Sequence, residues 1–438
     1  MTRPCLTRVV WARLSAGQQA AVLQRPATHD SKAIAESVAS LIEQVRVEGD
    51  PAIRRLAREF DHVDVEHLRV TPDEVESARE SLDPAARAAI DVAIANVSRF
   101  HAAQVAAPLR VETAPGVVCE RVSRPIRAVG LYVPAGTAPL PSTAIMLAVP
   151  AQIAGCAVRV VCTPPRRDGC ADPAVVAAAM ACGVTDIFKI GGAQAIAAMA
   201  FGTQSVPKVD KIFGPGNIWV TAAKQAVSQD PAGAAFDMPA GPSEVMVIAA
   251  EGANPCFVAL DLLSQAEHGP DSQVILVTTH EPLLDEVQQQ FDALLPQLSR
   301  RGIIERSLTH GAAIVAEDLP QAFDIANRYA PEHLILQVPE PRRWIDRVQQ
   351  AGSVFLGPWT PESVGDYCSG TNHVLPTYGH ARAYSGLSVG DFQRRMTLQE
   401  LTREGLLSLA PTVMALAHLE GLDAHGEAVR SRVMAVRP

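Results

Sequence analysis

The stretch Val184–Gly202, "VTDIFKIGGAQAIAAMAFG", decides the fold. It opens with a short apolar run, turns at two glycines, and continues as an alanine-rich run closed by another glycine, which predicts a strand followed by a helix. The same unit recurs on both sides. "PIRAVGLYVPAGT" (Pro125–Thr137) gives a strand ending near Tyr132, "AVRVVCTP" (Ala157–Pro164) a second strand, and "VDKIFGPGNIWVTAAKQAV" (Val209–Val227) a further strand with its own helix. Strands and helices alternating at this spacing predict a parallel sheet with helices on its faces, whose ligands bind beyond the carboxyl ends of the strands. A second series of the same character runs through "SEVMVIAA", "DSQVILVTT", "GAAIVAEDL", "HLILQV" and "GSVFLG", from Ser243 to Gly357. The expected class is therefore α/β, with two doubly wound, Rossmann-like parallel-sheet domains that share the crevice between them.

Around these series lie an arm, a helical region and a tail. Residues 1–27 are expected to form an N-terminal arm. Helices are expected from about 28 to 112, announced by Asp50-Pro51, the box Thr71-Pro72-Asp73-Glu74, and Asp83-Pro84, each with a capping side chain before a proline. The expected organisation is a main domain built from 28–129 and 238–383, an inserted domain over 130–237, and a helical tail over 384–438. In the tail, Thr397 to Glu400 reads as a T-x-x-E helix start, Gly421 as a break, and Asp423 as the cap of a final helix.

The chain has 438 residues, 48% of them hydrophobic, and a net charge of −9, so it is long enough for two or three cored domains. No basic block suits nucleic acid, which leaves a small molecule as the expected partner. The run Ala144 to Cys162 is broken by Gln152, Gly155 and Arg159, so no membrane span is expected. The N-terminus has no uninterrupted apolar segment, and the expected compartment is the cytoplasm. Eight cysteines without a C-x-x-C pair read as buried thiols, with neither a disulfide framework nor a thiolate zinc site.

Six segments carry residues fit for chemistry. The turns "KIGGAQAI" and "FGPGNIW" supply strand, glycines and helix N-terminus, which is what a pyrophosphate needs, although turns that merely connect a sheet would look the same. In "LDLLSQAEHGPDSQ", Gln265 and His268 share a face of the last helical turn and form an incomplete metal site. The glycine-rich run "PESVGDYCSGTNHVLPTYG" offers Asp366 and His373, and "HLEGLDAHGEAV" offers Glu420 and His425 around a helix break. "RYAPEHLIL" sets Glu332 beside His333 just before an apolar run, which reads either as a solvated corner or as a proton-transfer pair.

The ordered segments "YVPAGTAPLPST", "GGAQAIAAMAFGT", "VDKIFGPGN", "DMPAGPSEV", "SQAEHGPDSQ", "YAPEHL", "AGSVFLG", "ESVGDYCSGTNHVLPT" and "EGLDAH" resemble those of the histidinol dehydrogenases. That family comprises zinc enzymes that oxidise L-histidinol to L-histidine with two NAD+. The resemblance covers Tyr132 to His425, and the first 125 residues match in general character alone. It implies one Zn2+ per subunit on Gln265, His268, Asp366 and His425, and substrate contacts from Ser243, His333, His373 and Glu420 as well as the metal ligands. It further implies that Tyr132, Gln194 and Asn217 line the NAD site, that Glu332 and His333 act as the acid–base pair, and that a homodimer exchanges its tails. One departure is Ala135, where the family usually has glycine.

Two rivals remain at this level. A paralogue could oxidise another primary alcohol, but Ser243, His373 and Glu420 are all present to read the amino alcohol. A zinc hydrolase could use the same ligands and glutamate, but it leaves the glycine turns without a purpose.

Overall fold

The computed structural model describes residues 5–26, 31–135, 138–239 and 241–436. In chain order, β1 (Thr7–Val10) precedes the helices Ser31–Glu48, Asp50–Leu56, Pro72–Ser81 and Pro84–Ala102, and a hairpin of β2 (Leu109–Ala114) and β3 (Val117–Pro125) follows. The first alternating series contributes β4 (Ala128–Tyr132), β5 (Val158–Thr163), β6 (Asp186–Lys189), β7 (Lys211–Phe213) and β8 (Ala235–Phe236). The second contributes β9 (Glu244–Ala249), β10 (Gln273–Thr278), β11 (Ala312–Val315), β12 (His333–Gln337) and β13 (Ser353–Leu356), and β14 (Gln393–Leu401) comes last.

Two parallel sheets result, one five-stranded in the order β6-β5-β4-β7-β8 and one six-stranded in the order β1-β11-β10-β9-β12-β13. Counted within its own series, each sheet runs 3-2-1-4-5, the doubly wound order whose direction reverses beside the first strand. Their strands read as continuous apolar runs because both faces are covered. In β9, Val245, Val247 and Ala249 join one core cluster while Met246 and Ile248 join the opposite one. Truncating one of these fully buried side chains, as in Ile248→Ala, should cost about 2–5 kcal/mol.

The sequence expectations need correction at three places. Asp50 is not a cap: its helix starts from Gly49 at φ 68°, and the Asp50 carboxylate is buried, accepting from the hydroxyls of Thr203 and Ser205. Thr397–Glu400 is not a helix start, because it lies inside β14, which pairs antiparallel with β3 along its whole length; the helix Arg403–Leu419 is capped instead by Thr402, whose Oγ1 accepts from the Gly405 amide at 3.1 Å. Finally, the arm is not separate from the sheets, since β1 forms an edge of the six-stranded one. Thr71, with its capping box, and Asp83 do cap their helices, and of the cysteines expected to be buried Cys156, Cys162 and Cys182 are, whereas Cys5 is exposed. Among the described residues no helix is long and apolar enough to cross a membrane.

In a parallel unit the crossover helix returns to the amino edge of its sheet. The helix Pro255–Ala266, which follows β9, therefore delivers its last turn to the edge where β9 and β12 begin.

Candidate active site

Helix Leu319–Tyr329 ends at Ala330, a non-glycine residue in the left-handed region at φ 56°. Pro331 forbids its continuation, and the chain passes through Glu332 into β12. Glu332 and His333 are both buried, and both are held by one residue of the neighbouring strand. The Glu244 amide donates to Glu332 Oε2 at 3.0 Å, and the Glu244 carbonyl lies 3.1 Å from His333 Nδ1. A carbonyl can only accept, so Nδ1 carries the proton and Nε2 keeps its lone pair. That Nε2 is buried with no hydrogen-bond partner among the described residues and faces Asp366 Oδ1 at 3.7 Å.

Burial pushes the Glu332 carboxyl well above the usual range, against the opposing pull of the Glu244 amide. Burial likewise lowers His333 to about 4, although the Asp366 carboxylate and the Glu244 carbonyl act the other way. His333 is thus neutral at pH 7 and able to accept a proton.

Next to this pair, the ligand atoms of His268, Glu362 and Asp366 lie within 4.8 Å of one another. Among the described residues, neither amide atom of Gln265, fully buried one turn before His268, has a partner, and Glu362 Oε2 has none either. Burial raises the Glu362 carboxyl well above its ordinary value, and the nearby Asp366 and Glu332 carboxylates add to the effect. An amide oxygen, an imidazole and carboxylates that repel one another and lack partners make a donor set suited to a divalent cation. The sequence reading missed Glu362. The available signal was its spacing from Asp366, i to i+4 on helix Glu362–Tyr367, which puts both on one face.

His373 fastens this cluster to the five-stranded half. Its Nδ1 lies 2.8 Å from the Asp366 carbonyl and its Nε2 3.1 Å from Thr143 Oγ1, in the first turn of helix Pro141–Ala154. Ser243 sits half-buried just before β9 at the same edge. The expectation that ligands meet the carboxyl ends of the strands is therefore corrected for the second series, whose polar cluster stands at the amino ends of β9 and β12.

A family model described as histidinol dehydrogenase matches residues 23–433, most of the chain. The chain belongs to the histidinol dehydrogenase family. It is 55% identical over 425 residues to the histidinol dehydrogenase of Vibrio vulnificus (strain CMCP6), covering 97% of this chain and 98% of that one. It is 54% identical over 423 residues to that of Xanthomonas campestris pv. campestris (strain ATCC 33913), with 97% and 98% covered. The crystal structure of histidinol dehydrogenase from Elizabethkingia anophelis superposes with a TM-score of 0.94 at 43% identity, covering 98% of each chain. Like these relatives, the protein is an oxidoreductase of α/β architecture.

The residues that the histidinol dehydrogenase resemblance assigns to NAD all lie at the carboxyl edge of the five-stranded sheet. Tyr132 ends β4 and is buried, its hydroxyl accepting from the Gly192 amide at 3.0 Å. Gln194 lies buried in the first turn of helix Gly192–Phe201. Asn217 caps helix Ile218–Gln229, its Oδ1 accepting from the amides of Trp219 and Val220 at 3.0 and 3.1 Å. Glu420 and His425 are not brought to the cluster by their own chain. Both are exposed, Glu420 just after helix Arg403–Leu419 and His425 in the first turn of helix Asp423–Val436, and the two helices pack on each other.

Proposed function

We propose that the protein oxidises L-histidinol through histidinal to L-histidine, as a cytoplasmic step of histidine biosynthesis. The supporting observation is the one residue, Glu244, whose amide holds a buried carboxyl and whose carbonyl holds a neutral imidazole, side by side and next to a donor cluster that is unsatisfied among the described residues. Gln265, His268 and Asp366 would hold one Zn2+, with His425 of a second chain as a further ligand. When bound, such an ion supplies orientation, fixing substrate nitrogens so that the carbinol carbon keeps one position through both oxidations. Tyr132, Gln194 and Asn217 would hold NAD+, which when bound would supply the hydride acceptor for each oxidation.

The chain's own groups move the protons. In the first oxidation His333 Nε2 takes the hydroxyl proton as the carbinol carbon gives up a hydride. In the second, Glu332 in its ionised form takes a proton from water attacking the aldehyde while the His333 imidazolium returns its proton to the carbonyl oxygen, and His333 then takes a hydroxyl proton of the hydrate as it gives up its hydride and becomes the acid. A carboxyl with a raised pKa is a stronger base once ionised than an ordinary one, which suits this task. Ser243, His373 and Glu420 would read the amino alcohol and its ring. The test is the stoichiometry of the purified protein: two NADH and one histidine per histidinol are expected. One NADH per substrate with accumulating aldehyde would overturn the reading.

Glu420 and His425 serve this site in a homodimer whose tails cross. Leu416, Leu419, Leu422 and Met434 are exposed on the tail helices, an apolar surface suited to a second copy. A chain carrying His333→Asn mixed with one carrying His425→Asn would then form heterodimers with one intact site. Random exchange should restore about a quarter of wild-type activity. No recovery, with heterodimers confirmed by mass, would show that the tail serves its own chain.

A further inference from the structure

We infer that the N-terminal arm, through Arg25, is a positioning element of the acid–base pair, an inference that rests on the roles given above to Glu332 and His333. The arm returns from β1 across the amino edge of the six-stranded sheet. There the Gln24 carbonyl accepts from Gln273 Nε2 and the Pro26 carbonyl from the Tyr378 hydroxyl, at 3.1 and 2.7 Å. Between them Arg25 meets the Glu244 carboxylate with two parallel bonds, Nε to Oε2 at 2.6 Å and an Nη to Oε1 at 2.7 Å. The Glu244 side chain is 1% exposed, so this is a buried charge whose one cationic partner among the described residues is Arg25, joined by the Tyr329 hydroxyl at 2.9 Å. Arg25 also lies 4.0 Å above the Tyr329 ring and donates to the Tyr329 carbonyl at 2.9 Å.

These contacts grip both parts of the backbone that aim the pair. On one side they fix the side chain of Glu244, whose amide and carbonyl hold Glu332 and His333. On the other they cap the carbonyl end of helix Leu319–Tyr329, just before the left-handed Ala330 and the turn into Glu332. Without Arg25, a bare carboxylate would be left inside the protein, and the cheapest relief is for the Glu244 strand end to shift toward water. The two catalytic groups would shift with it.

The experiment uses the full-length, metal-loaded enzyme and measures kcat and KM for supplied histidinol and supplied histidinal, with metal content per chain. Arg25→Met should lower kcat of both oxidations about 100-fold while KM values stay within about threefold and metal content is unchanged. Arg25→Lys should recover to within about tenfold of wild type. The discriminating variant is Arg25→Met with Glu244→Gln. Removing the stranded charge while keeping the peptide should restore at least about tenfold over Arg25→Met alone, which lost packing could not do. If folded Arg25→Met keeps kcat within about twofold, or the double variant is no better than the single, the inference is overturned. Should Arg25→Met not fold, Tyr329→Phe takes its place, with kcat about fivefold lower expected and an unchanged kcat refuting the role. His333→Asn in the same assay separates the two levels. Its retention of full rate overturns the acid–base reading, and its loss alongside an unaffected Arg25→Met overturns this inference alone.

Discussion

The two parallel sheets share one strand order yet present opposite edges to function. In the five-stranded sheet the residues suited to a dinucleotide gather where strands end and helices begin, at Tyr132, Gln194 and Asn217. In the six-stranded sheet Gln265, His268, Glu332 and His333 gather where helices end and strands begin. The difference follows the sign of the charge to be held. Helix N-termini present free N–H groups and the positive end of the dipole, which suits a pyrophosphate, while helix C-termini present carbonyls and the negative end, which suits a metal cation. Meanwhile the carboxyl end of β12 is closed by the protein itself, with Gln337 donating to a buried Asp261 at 3.2 Å. On the roles proposed above, one topology would serve two ligands of opposite sign by presenting opposite edges of its two sheets.

The largest effects are expected at the amino edge. His333→Asn should lower both oxidations about 1000-fold, whereas Glu332→Gln should slow supplied histidinal about 100-fold and histidinol-to-aldehyde conversion by less than about tenfold. Equal losses for Glu332→Gln would show that the carboxylate is not a dedicated water activator. An intermediate effect is expected at the carboxyl edge of the five-stranded sheet. Asn217→Ala should raise KM for NAD+ about fivefold and remove about 1 kcal/mol of stability as the cap is lost. Asn217→Ser keeps a capping oxygen, so stability should return while KM stays high; if both return, Asn217 is a cap and nothing more.

The smallest effect on rate belongs to the closed edge, where Asp261→Asn should leave kcat within about twofold. Its signature is in stability. Burial raises the Asp261 carboxyl from 3.8 to about 6, so the folded state favours the protonated form. The stability this contributes is present below pH about 4 and lost as pH rises through about 6. Asp261→Asn should match wild type at pH 4 and exceed it by about 3 kcal/mol at pH 8 in denaturant titrations. A rate loss comparable to that of the amino-edge variants would erase the distinction between the edges.

Strands covered on both faces were legible because an apolar run such as "EVMVIA" has one comfortable home. β2 and β14 were not, since both are exposed almost throughout and owe their form to pairing with β3. Local chemistry was equally one-sided. Gln265 and His268 announce themselves by spacing within one helix, but Arg25 and Glu244 stand 219 residues apart, and no local pattern joins them. The edge itself was hidden as well, because strand order says where a crevice lies and the charge of the ligand says which side of the sheet is used.

The pairing of β1 with β11 sets Thr7 beside Ala312 and has a consequence for biogenesis. The five strands of the smaller sheet lie between Ala128 and Phe236, so that sheet can close while the rest of the chain is still being made. The arm must wait, its strand unpaired, until β11 has left the ribosome. Synthesis thus assembles the five-stranded half first and seats the arm among the last events, so a nascent chain that stops short of β11 lacks the contact of Arg25 with Glu244 beside Glu332 and His333.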